Sequence, residues 1–128
     1  REYEELLKGY FSSLEPAFDL ILLGLGDDGH TASLFPGTLA LGERSRLVLH
    51  NWVPDQNDYR ITFTLPMINA ARIIAFLATW ESKADVLRRV LEPAPGESPL
   101  PATMVQPSSG AVHWFLTQDA ARLLGAER

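Results

Sequence analysis

The segment FDLILLGLGDDGHTASLFPGT, from Phe18 to Thr38, contains the features on which the rest of the chain depends. It opens with an apolar run at 18–23, whose length and composition predict a buried strand. The run ends in a turn at 24–29 that has the pattern Gly-x-Gly-x-x-Gly. A strand that ends in such a turn brings polar side chains to the carboxyl edge of a sheet, where open α/β folds bind their ligands. We therefore expect the functional site in this segment.

On either side of this segment, strand patterns alternate with helix patterns. Apolar residues at helical spacing, with turn signals after them, predict helices at 1–14, 30–35, 66–71, 81–91 and 118–124. Apolar or alternating β-branched runs predict strands at 18–23, 46–53, 60–65, 72–79 and 112–116. The proline-rich stretch 92–101 is predicted to be a surface loop. This alternation predicts an α/β domain with a largely parallel sheet, in which 72–79 is a central strand.

The composition excludes several classes of protein. A chain of 128 residues with 46% hydrophobic and 21% charged residues is typical of one soluble domain. A net charge of -5 argues against a general nucleic-acid partner, which requires a basic face. No apolar run reaches the ~18 residues of a membrane span, and there is no cysteine for a disulfide framework. The start of the chain does not resemble a signal peptide, so we expect a cytoplasmic location.

The glycine pattern also occurs in dinucleotide-binding sites, which need two further features. One is a full helix after the third glycine, and the other is an acidic residue about 20 positions on, at the end of a second strand. Here Pro36 interrupts the helix, and no strand within 39–53 ends in an acid. The sequence therefore disfavours a dinucleotide site.

Two interpretations of the turn remain open from the residues alone. In one, His30 is a general base whose ring is oriented by a carboxylate, Asp27 or Asp28, because histidine titrates near neutrality. In the other, the glycines only form a tight turn and His30 is an ordinary loop histidine.

Residues 24–37, GLGDDGHTASLFPG, resemble the signature of the 6-phosphogluconolactonases, which share a superfamily with the glucosamine-6-phosphate deaminases. Later segments resemble further blocks of the family in the same order: RITFTLPMINAARIIAFLAT (60–79), ESKADVLRRVLE (81–92) and VHWFLTQDAARLL (112–124). In the deaminases, the segment at this position resembles Gly-His-Ile-Ala-Phe. A glutamate that follows this segment takes part in their chemistry. This chain has no glutamate between His30 and Pro36, which favours the lactonase. A deaminase-like isomerase and a non-catalytic sugar-phosphate-binding module remain the alternatives.

The resemblance implies a Rossmann-like fold of the NagB/RpiA type, with a largely parallel sheet and helices on both faces. Residues 1–128 would form the C-terminal portion of a single such domain, without its N-terminal half. The implied reaction is hydrolysis of 6-phosphoglucono-δ-lactone to 6-phosphogluconate, without a metal or organic cofactor. The implied partners are this phosphosugar lactone and the N-terminal half of the domain, with no nucleic acid or membrane.

The resemblance also assigns roles within the signature segment. His30 would be the general base that activates water. Independently of the resemblance, the backbone N–H groups of a glycine-rich turn are suited to stabilise an oxyanion, and we expect Gly26 to Gly29 to do so. Thr31 would contribute to substrate binding. Asp28 would either orient His30 or cap a short helix at 30–35, and the cap is the favoured interpretation.

Lys83 matches the lysine that the superfamily places near the sugar phosphate, and Arg60 matches an arginine that serves either phosphate or structure. Trp80 stands where the family usually has glycine, which argues against close approach of the backbone to a phosphate there. The chain has two further histidines, His50 and His113. The spacing of these two and His30 does not predict a metal site.

Overall fold

The computed structural model describes residues 1–12 and 15–125. Its helices are α1 (Glu2–Phe11), α2 (Leu65–Asn69) and α3 (Ala84–Leu91), and its strands are β1 (Leu20–Leu23), β2 (Val48–Val53), β3 (Asp58–Phe63), β4 (Ile73–Ala78) and β5 (Ala111–Leu116). Short 3₁₀ segments at Leu39–Gly42, Pro54–Gln56, Glu81–Lys83 and Pro101–Met104 connect them. None of the helices in these ranges is long and apolar enough to cross a membrane.

A three-stranded parallel sheet forms the centre of the fold. The strand order is β1-β4-β5, and β4 pairs in parallel with both neighbours. The carboxyl ends of all three strands therefore lie along one edge of the sheet. The α/β class, the mainly parallel sheet and the central position of β4 agree with the sequence predictions.

One face of this sheet packs against the core. Ile21, Ile74 and Phe76 point into it and are buried. Trp114 on β5 stacks on Phe76, with ring centroids 4.0 Å apart and an interplanar angle of 4°. The alternate side chains belong to the opposite face, where Leu20 and Leu22 are exposed. The prediction of a wholly buried strand at 18–23 was therefore wrong for β1, which is an edge strand with one exposed face.

Strands β2 and β3 form a separate antiparallel hairpin that supports the loop after the glycine-rich turn. Asn51 on β2 is buried, and its amide donates to the Ser33 carbonyl and to Thr38 Oγ1, both at 2.9 Å. Its Oδ1 accepts the N–H of Ala40. A single buried amide thus fixes residues 33–40 relative to the hairpin, because each of its polar groups has a partner.

Helix α1 is joined to the hairpin through a buried carboxylate. Glu4 accepts the N–H of Leu47 at 2.6 Å and the Nε of Arg46 at 2.8 Å. Burial raises the pKa of Glu4, but the bonds from Leu47 and Arg46 outweigh it and hold the pKa below 4.5. The helix predicted at 1–14 ends at Phe11, and residues 13 and 14 lie outside the described ranges.

The short helix predicted at 30–35 does not form. The chain instead makes a tight turn between Thr31 and Leu34, in which Ala32 has a left-handed φ of 51°. The N–H of Ser33 donates to Thr62 Oγ1, 29 residues away, and this bond ties the turn to β3. The left-handed backbone of Ala32 is incompatible with a right-handed helix, so the helical pattern at 30–35 is not realised.

The closing helix predicted at 118–124 is also replaced by turns. The N–H of Ala120 donates to the side chain of Asp119. The N–H groups of Arg122 and Leu124 donate to carbonyls three residues earlier, as in turns.

Candidate functional site

The glycine-rich turn leaves β1 at the carboxyl edge of the parallel sheet and folds back on itself. The N–H of Gly26 donates to the carbonyl of His30, and the N–H of Gly29 donates to the carbonyl of Gly26, both at 2.9 Å. Gly29 has a φ of 84°, which side-chain-bearing residues rarely adopt. These bonds fix the backbone of His30 directly beyond the end of β1.

The His30 ring is held by Asp28. The distance from His30 Nδ1 to Asp28 Oδ1 is 2.6 Å, and the same oxygen accepts the backbone N–H of His30 at 3.0 Å. Burial raises the pKa of Asp28, but the hydrogen bonds from the backbone and ring of His30 outweigh it, so the pKa lies below 3.8. Since no helix follows, the predicted helix cap was wrong, and the carboxylate instead faces the imidazole.

Two further groups restrict the ring of His30. Phe35 stacks on it with centroids 4.1 Å apart and an interplanar angle of 22°. On another side, a Cβ added to Gly26 would lie 2.0 Å from His30 Nδ1, so only glycine leaves room for the ring. The imidazole is thus fixed by a carboxylate, an aromatic ring and a glycine, and its side chain remains 30% exposed.

A cavity of about 520 Å³ lies elsewhere on the surface, around Asn69 and Met104, without a cluster of reactive side chains. A second cavity of about 510 Å³ opens beside His30 and is lined by residues 21–26, 30–32 and Phe63. The second is the better candidate for a substrate site, because a titratable ring lies in its wall at the ligand-binding edge of the sheet.

Lys83 reaches the glycine-rich turn from a distant part of the chain. Its Nζ lies 2.6 Å from Asp27 Oδ1, across 56 residues. The lysine side chain is 21% exposed and that of Asp27 is 78% exposed. The structure therefore brings the predicted phosphate-binding lysine next to the turn that carries His30, with its charge already paired.

The remaining predicted substrate residues have other contacts. Thr31 is buried, and its hydroxyl donates to the carbonyl of Gly24 at 2.8 Å. Arg60 donates to Gln56 in the hairpin and does not line the cavity beside His30. The structure thus brings together Gly26, Asp28 and His30 but does not add Arg60 to them.

Trp80 lies just before the 3₁₀ segment of Lys83. It has a φ of 81°, in the region that favours glycine, and its indole is largely exposed. Its carbonyl accepts the N–H of Lys83. The bulky side chain therefore points away into solvent, while the backbone keeps a conformation typical of glycine.

Sequence reasoning missed two contacts in this site. Nothing in the spacing of Phe35 from His30 indicated that the two rings stack. The opposite charges of Asp27 and Lys83 were the one feature of the sequence that suggested a pair. Their separation along the chain does not show how far apart they lie in the fold. Within the described ranges, no group of three His, Asp or Glu side chains is placed to hold a metal ion.

Comparisons with known proteins show which family this chain is similar to. The family model described as glucosamine-6-phosphate isomerases/6-phosphogluconolactonase matches residues 1–114. The 6-phosphogluconolactonase of Rattus norvegicus is 50% identical over 121 residues, which are 94% of this chain and 46% of the relative. The enzyme of that name from Homo sapiens is 52% identical over 110 residues, 85% of this chain and 42% of the relative.

The structure of 6-phosphogluconolactonase from Trypanosoma cruzi superposes with a TM-score of 0.86 at 30% identity, covering 98% of this chain and 50% of that one. The chain spans about half the length of the relatives it matches. A strand-to-glycine turn that carries His30 on a mainly parallel sheet, together with a family match over residues 1–114, identifies the chain as a member of the glucosamine-6-phosphate isomerase/6-phosphogluconolactonase family.

Proposed function

We propose that the protein hydrolyses 6-phosphoglucono-δ-lactone to 6-phosphogluconate, with His30 as general base. The 2.6 Å contact between His30 Nδ1 and Asp28, beside the cavity that His30 lines, carries this proposal. The relatives from rat and human are 6-phosphogluconolactonases, and this supplies the reaction class. Ester hydrolysis needs a base, a water molecule and stabilisation of charge, and His30 would serve as the base.

Asp28 determines which nitrogen of His30 acts as the base. A carboxylate that accepts a hydrogen bond from Nδ1–H leaves the lone pair of Nε2 to take a proton from water. The lowered pKa of Asp28 keeps this carboxylate ionised near neutral pH. It then stabilises the imidazolium that forms as water is deprotonated, as the aspartate does in a catalytic triad.

The proposed reaction proceeds in two proton transfers. Water gives a proton to Nε2 as its oxygen bonds to the lactone carbonyl carbon, and the carbonyl oxygen becomes an oxyanion. The bond from this carbon to the ring oxygen then breaks. The ring oxygen leaves as a hydroxyl group after it takes the proton from the imidazolium, and the carboxylic acid remains.

We propose substrate contacts for Gly26, Gly29, Thr31 and Arg60, with different support for each. Gly26 lines the cavity beside His30. The N–H groups of Gly26 and Gly29 are bonded within the turn, so a role in the oxyanion site requires those bonds to open. Thr31 supports the turn through Gly24, and Arg60 would have to release Gln56 to reach a ligand.

Lys83 is the proposed phosphate ligand. Its ammonium group lies at the glycine-rich turn, and an incoming phosphate would compete with Asp27 for it. One lysine is a small share of the charge needed to hold a phosphate dianion. We therefore propose that residues outside these 128, in the N-terminal half of the domain, complete the phosphate site. We also place the reaction in the cytoplasm, which suits a chain without cysteine.

Replacement of the base tests the reaction. In the complete gene product, His30→Ala should lower kcat for lactone hydrolysis by about 10²- to 10⁴-fold, the usual contribution of a general base. His50→Ala is the matched control, because His50 is an exposed histidine on β2, outside the cavity beside His30. An unchanged kcat in the folded His30 variant would contradict the assignment, and release of ammonia from an aminosugar phosphate would favour the deaminase reaction.

The same assay tests whether residues outside these 128 complete the phosphate site. The isolated 128-residue chain should hydrolyse the lactone far more slowly than the complete gene product. Comparable turnover by the two proteins would show that these residues hold the phosphate unaided.

A further inference from the structure

The ring of His30 is held at one edge by Asp28, and this contact alone does not fix the plane of the ring. The hydrogen bond between Nδ1 and Asp28 Oδ1 leaves the imidazole free to tilt about the line that joins the two atoms. The torsion that sets the plane of a histidine ring has broad preferences, so packing must decide it. A base that presents Nε2 to one water molecule therefore needs a second restraint, on the face of its ring.

Phe35 supplies that restraint. Its ring lies nearly parallel to the imidazole, with centroids 4.1 Å apart and an interplanar angle of 22°. The imidazole thus faces the negative face of an aromatic ring, within the ~6 Å over which such a ring attracts a cation. Neutral imidazole gains little from this attraction, whereas the imidazolium that forms as water is deprotonated gains more. The contact is therefore stronger in the transition state than before the reaction, which is the condition for a contribution to the rate.

The backbone of Phe35 is fixed by its neighbours. Leu34 before it is fully buried in the core, and Pro36 after it restricts Phe35 to extended conformations. The carbonyl of Phe35 accepts two bonds from Thr38, one from the N–H at 3.2 Å and one from Oγ1 at 2.7 Å. The aromatic ring therefore projects from a restrained segment, although it belongs to a loop.

The antiparallel hairpin holds this segment through Asn51, which is 2% exposed. The amide of Asn51 donates to the hydroxyl of Thr38 at 2.9 Å, and that hydroxyl in turn donates to the carbonyl of Phe35. A chain of contacts thus leads from the hairpin to Phe35, whose ring ends it on His30. This chain reaches the imidazole at its face, whereas the carboxylate of Asp28 reaches it at its edge.

We propose that Phe35 is a positioning residue for the general base, and that Asn51 and Thr38 hold Phe35 in place. The inference rests on the proposed function, since it gives Phe35 a share in the proton transfer by His30. Phe35 keeps the imidazole in the plane in which Nδ1 meets Asp28, and its aromatic face stabilises the imidazolium. Phe35 does not line the cavity beside His30, so its effect belongs to kcat and not to KM.

Replacement of the ring tests this role in the complete gene product. Phe35→Leu should lower kcat for lactone hydrolysis by about tenfold, because it removes the aromatic face and keeps an apolar side chain. KM should stay within about twofold, and Phe35→Tyr, which restores the face, should return kcat to within about twofold of the parent protein. An unchanged kcat in Phe35→Leu would overturn the proposal, as would a tyrosine variant that is equally slow.

Phe11→Leu is the matched control. Phe11 is a half-buried phenylalanine at the end of α1, and its ring packs edge-on against Phe18 with centroids 5.3 Å apart. It has the same chemistry as Phe35 without a contact to the imidazole, so kcat should not change. An equal loss of kcat in Phe11→Leu would show a general effect of lost packing and would overturn the role of Phe35.

Fluorinated phenylalanines at position 35 separate the effect of charge from that of shape. Each added fluorine withdraws electron density from the face of the ring and changes its size little, so the attraction for a cation falls stepwise. We expect kcat to fall with each fluorine, while the Tm stays within about 2 °C. An equal kcat across the series would overturn the stabilisation of the imidazolium by Phe35.

Thr38→Val tests the support from the hairpin. Valine keeps the shape of threonine but removes the hydroxyl that links Asn51 to Phe35. We expect kcat to fall by about threefold, and Thr38→Ser, which keeps the hydroxyl, to restore it. In the double variant with Phe35→Leu, the loss should not exceed that of Phe35→Leu alone, because both changes act through the same ring. Additive losses would overturn the link from Asn51 and Thr38 to the base.

A measurement without substrate keeps this inference apart from the proposed function. The stacked ring of Phe35 should shift the ring protons of His30 upfield in the NMR spectrum, and Phe35→Leu should remove that shift. If the shift is present and the parent protein does not hydrolyse the lactone, the ring contact stands and the proposed function alone is contradicted. If Phe35→Leu leaves the protons of His30 unchanged, the positioning role is overturned whether or not the lactone is hydrolysed.

Discussion

Asp27 and Asp28 are neighbours in the glycine-rich turn, and their carboxylates have different partners. Asp28 contacts the backbone and the ring of His30, two residues away. Asp27 contacts Lys83, which is 56 residues away. Asp28 is 44% exposed, whereas Asp27 is 78% exposed and projects into solvent.

The two carboxylates differ in what they affect: Asp28 affects the position of the His30 ring, and Asp27 affects the charge of Lys83. The turn itself holds Asp28 against His30, so this carboxylate can orient the base. The Asp27–Lys83 pair is exposed on one side, and such ion pairs typically contribute about 1 kcal/mol or less to stability. Its main effect is electrostatic, since it lowers the net positive charge that Lys83 presents to an anion.

Gly26→Ala should disrupt the contact between Asp28 and the His30 ring. A Cβ at this position would lie 2.0 Å from His30 Nδ1, so the ring must leave Asp28. We expect kcat for lactone hydrolysis to fall by about 10³-fold, close to the loss on removal of a general base. Gly42→Ala is the control, because a Cβ there meets no atom within 4 Å. A kcat within twofold of the parent protein, with Gly26→Ala folded, would show that the ring position is unimportant.

Asp28→Asn should have the next largest effect. Asparagine keeps the shape but loses the charge that stabilises the imidazolium and favours one tautomer of His30. We expect kcat to fall by about 100-fold with little change in KM, at the lower end of what a general base contributes. Steady-state kinetics over a range of pH measures both constants. An equal loss of kcat in Asp27→Asn would remove the distinction between the two acids.

The stability of the protein should also depend on Asp28 below neutral pH. Because the pKa of Asp28 is lower in the folded chain than the ordinary value of 3.8, the unfolded chain binds more protons between the two values. Its contribution to the free energy of unfolding is fully present above pH 3.8 and is lost as the pH falls through the folded pKa. The parent protein should therefore be more stable than Asp28→Asn at pH 6, and the difference should shrink below pH 4. Urea unfolding at both pH values measures this, and a gap that widens in acid would contradict it.

Asp27→Asn should give the smallest effect, in the opposite direction. Loss of the carboxylate frees the ammonium group of Lys83, so the KM for the phosphorylated lactone should fall by about threefold while kcat is unchanged. Lys83→Met should raise the same KM. If both variants raise KM, Asp27 positions the lysine rather than competing for it.

Much of the site could be predicted because its signals are local. The apolar run before Gly24 and the glycines after it predicted a strand followed by a turn, and His30 lies where that pattern placed it. The parallel sheet followed from the alternation of strands and helices. Each of these features depends on residues that are close together in the sequence.

The errors arose where distant residues decide local structure. The segment predicted as a helix at 30–35 is a turn with a left-handed φ at Ala32, and the bond from Ser33 to Thr62 ties it to a strand 29 residues away. The apolar character of Leu20 and Leu22 could not show whether these 128 residues bury them. The position of Lys83 beside Asp27 depends on the pairing of β1 with β4, which the sequence does not specify.

The hydrogen bonds that hold His30 also bear on the order of folding. They join residues two to four positions apart, whereas Lys83 reaches the turn only after β4 has paired with β1. Contacts between nearby residues form faster than those that close long loops. We therefore expect the base and its carboxylate to take shape early, in a chain that does not yet hold a phosphate. The slow, long-range steps of assembly would then determine when a newly made molecule becomes active.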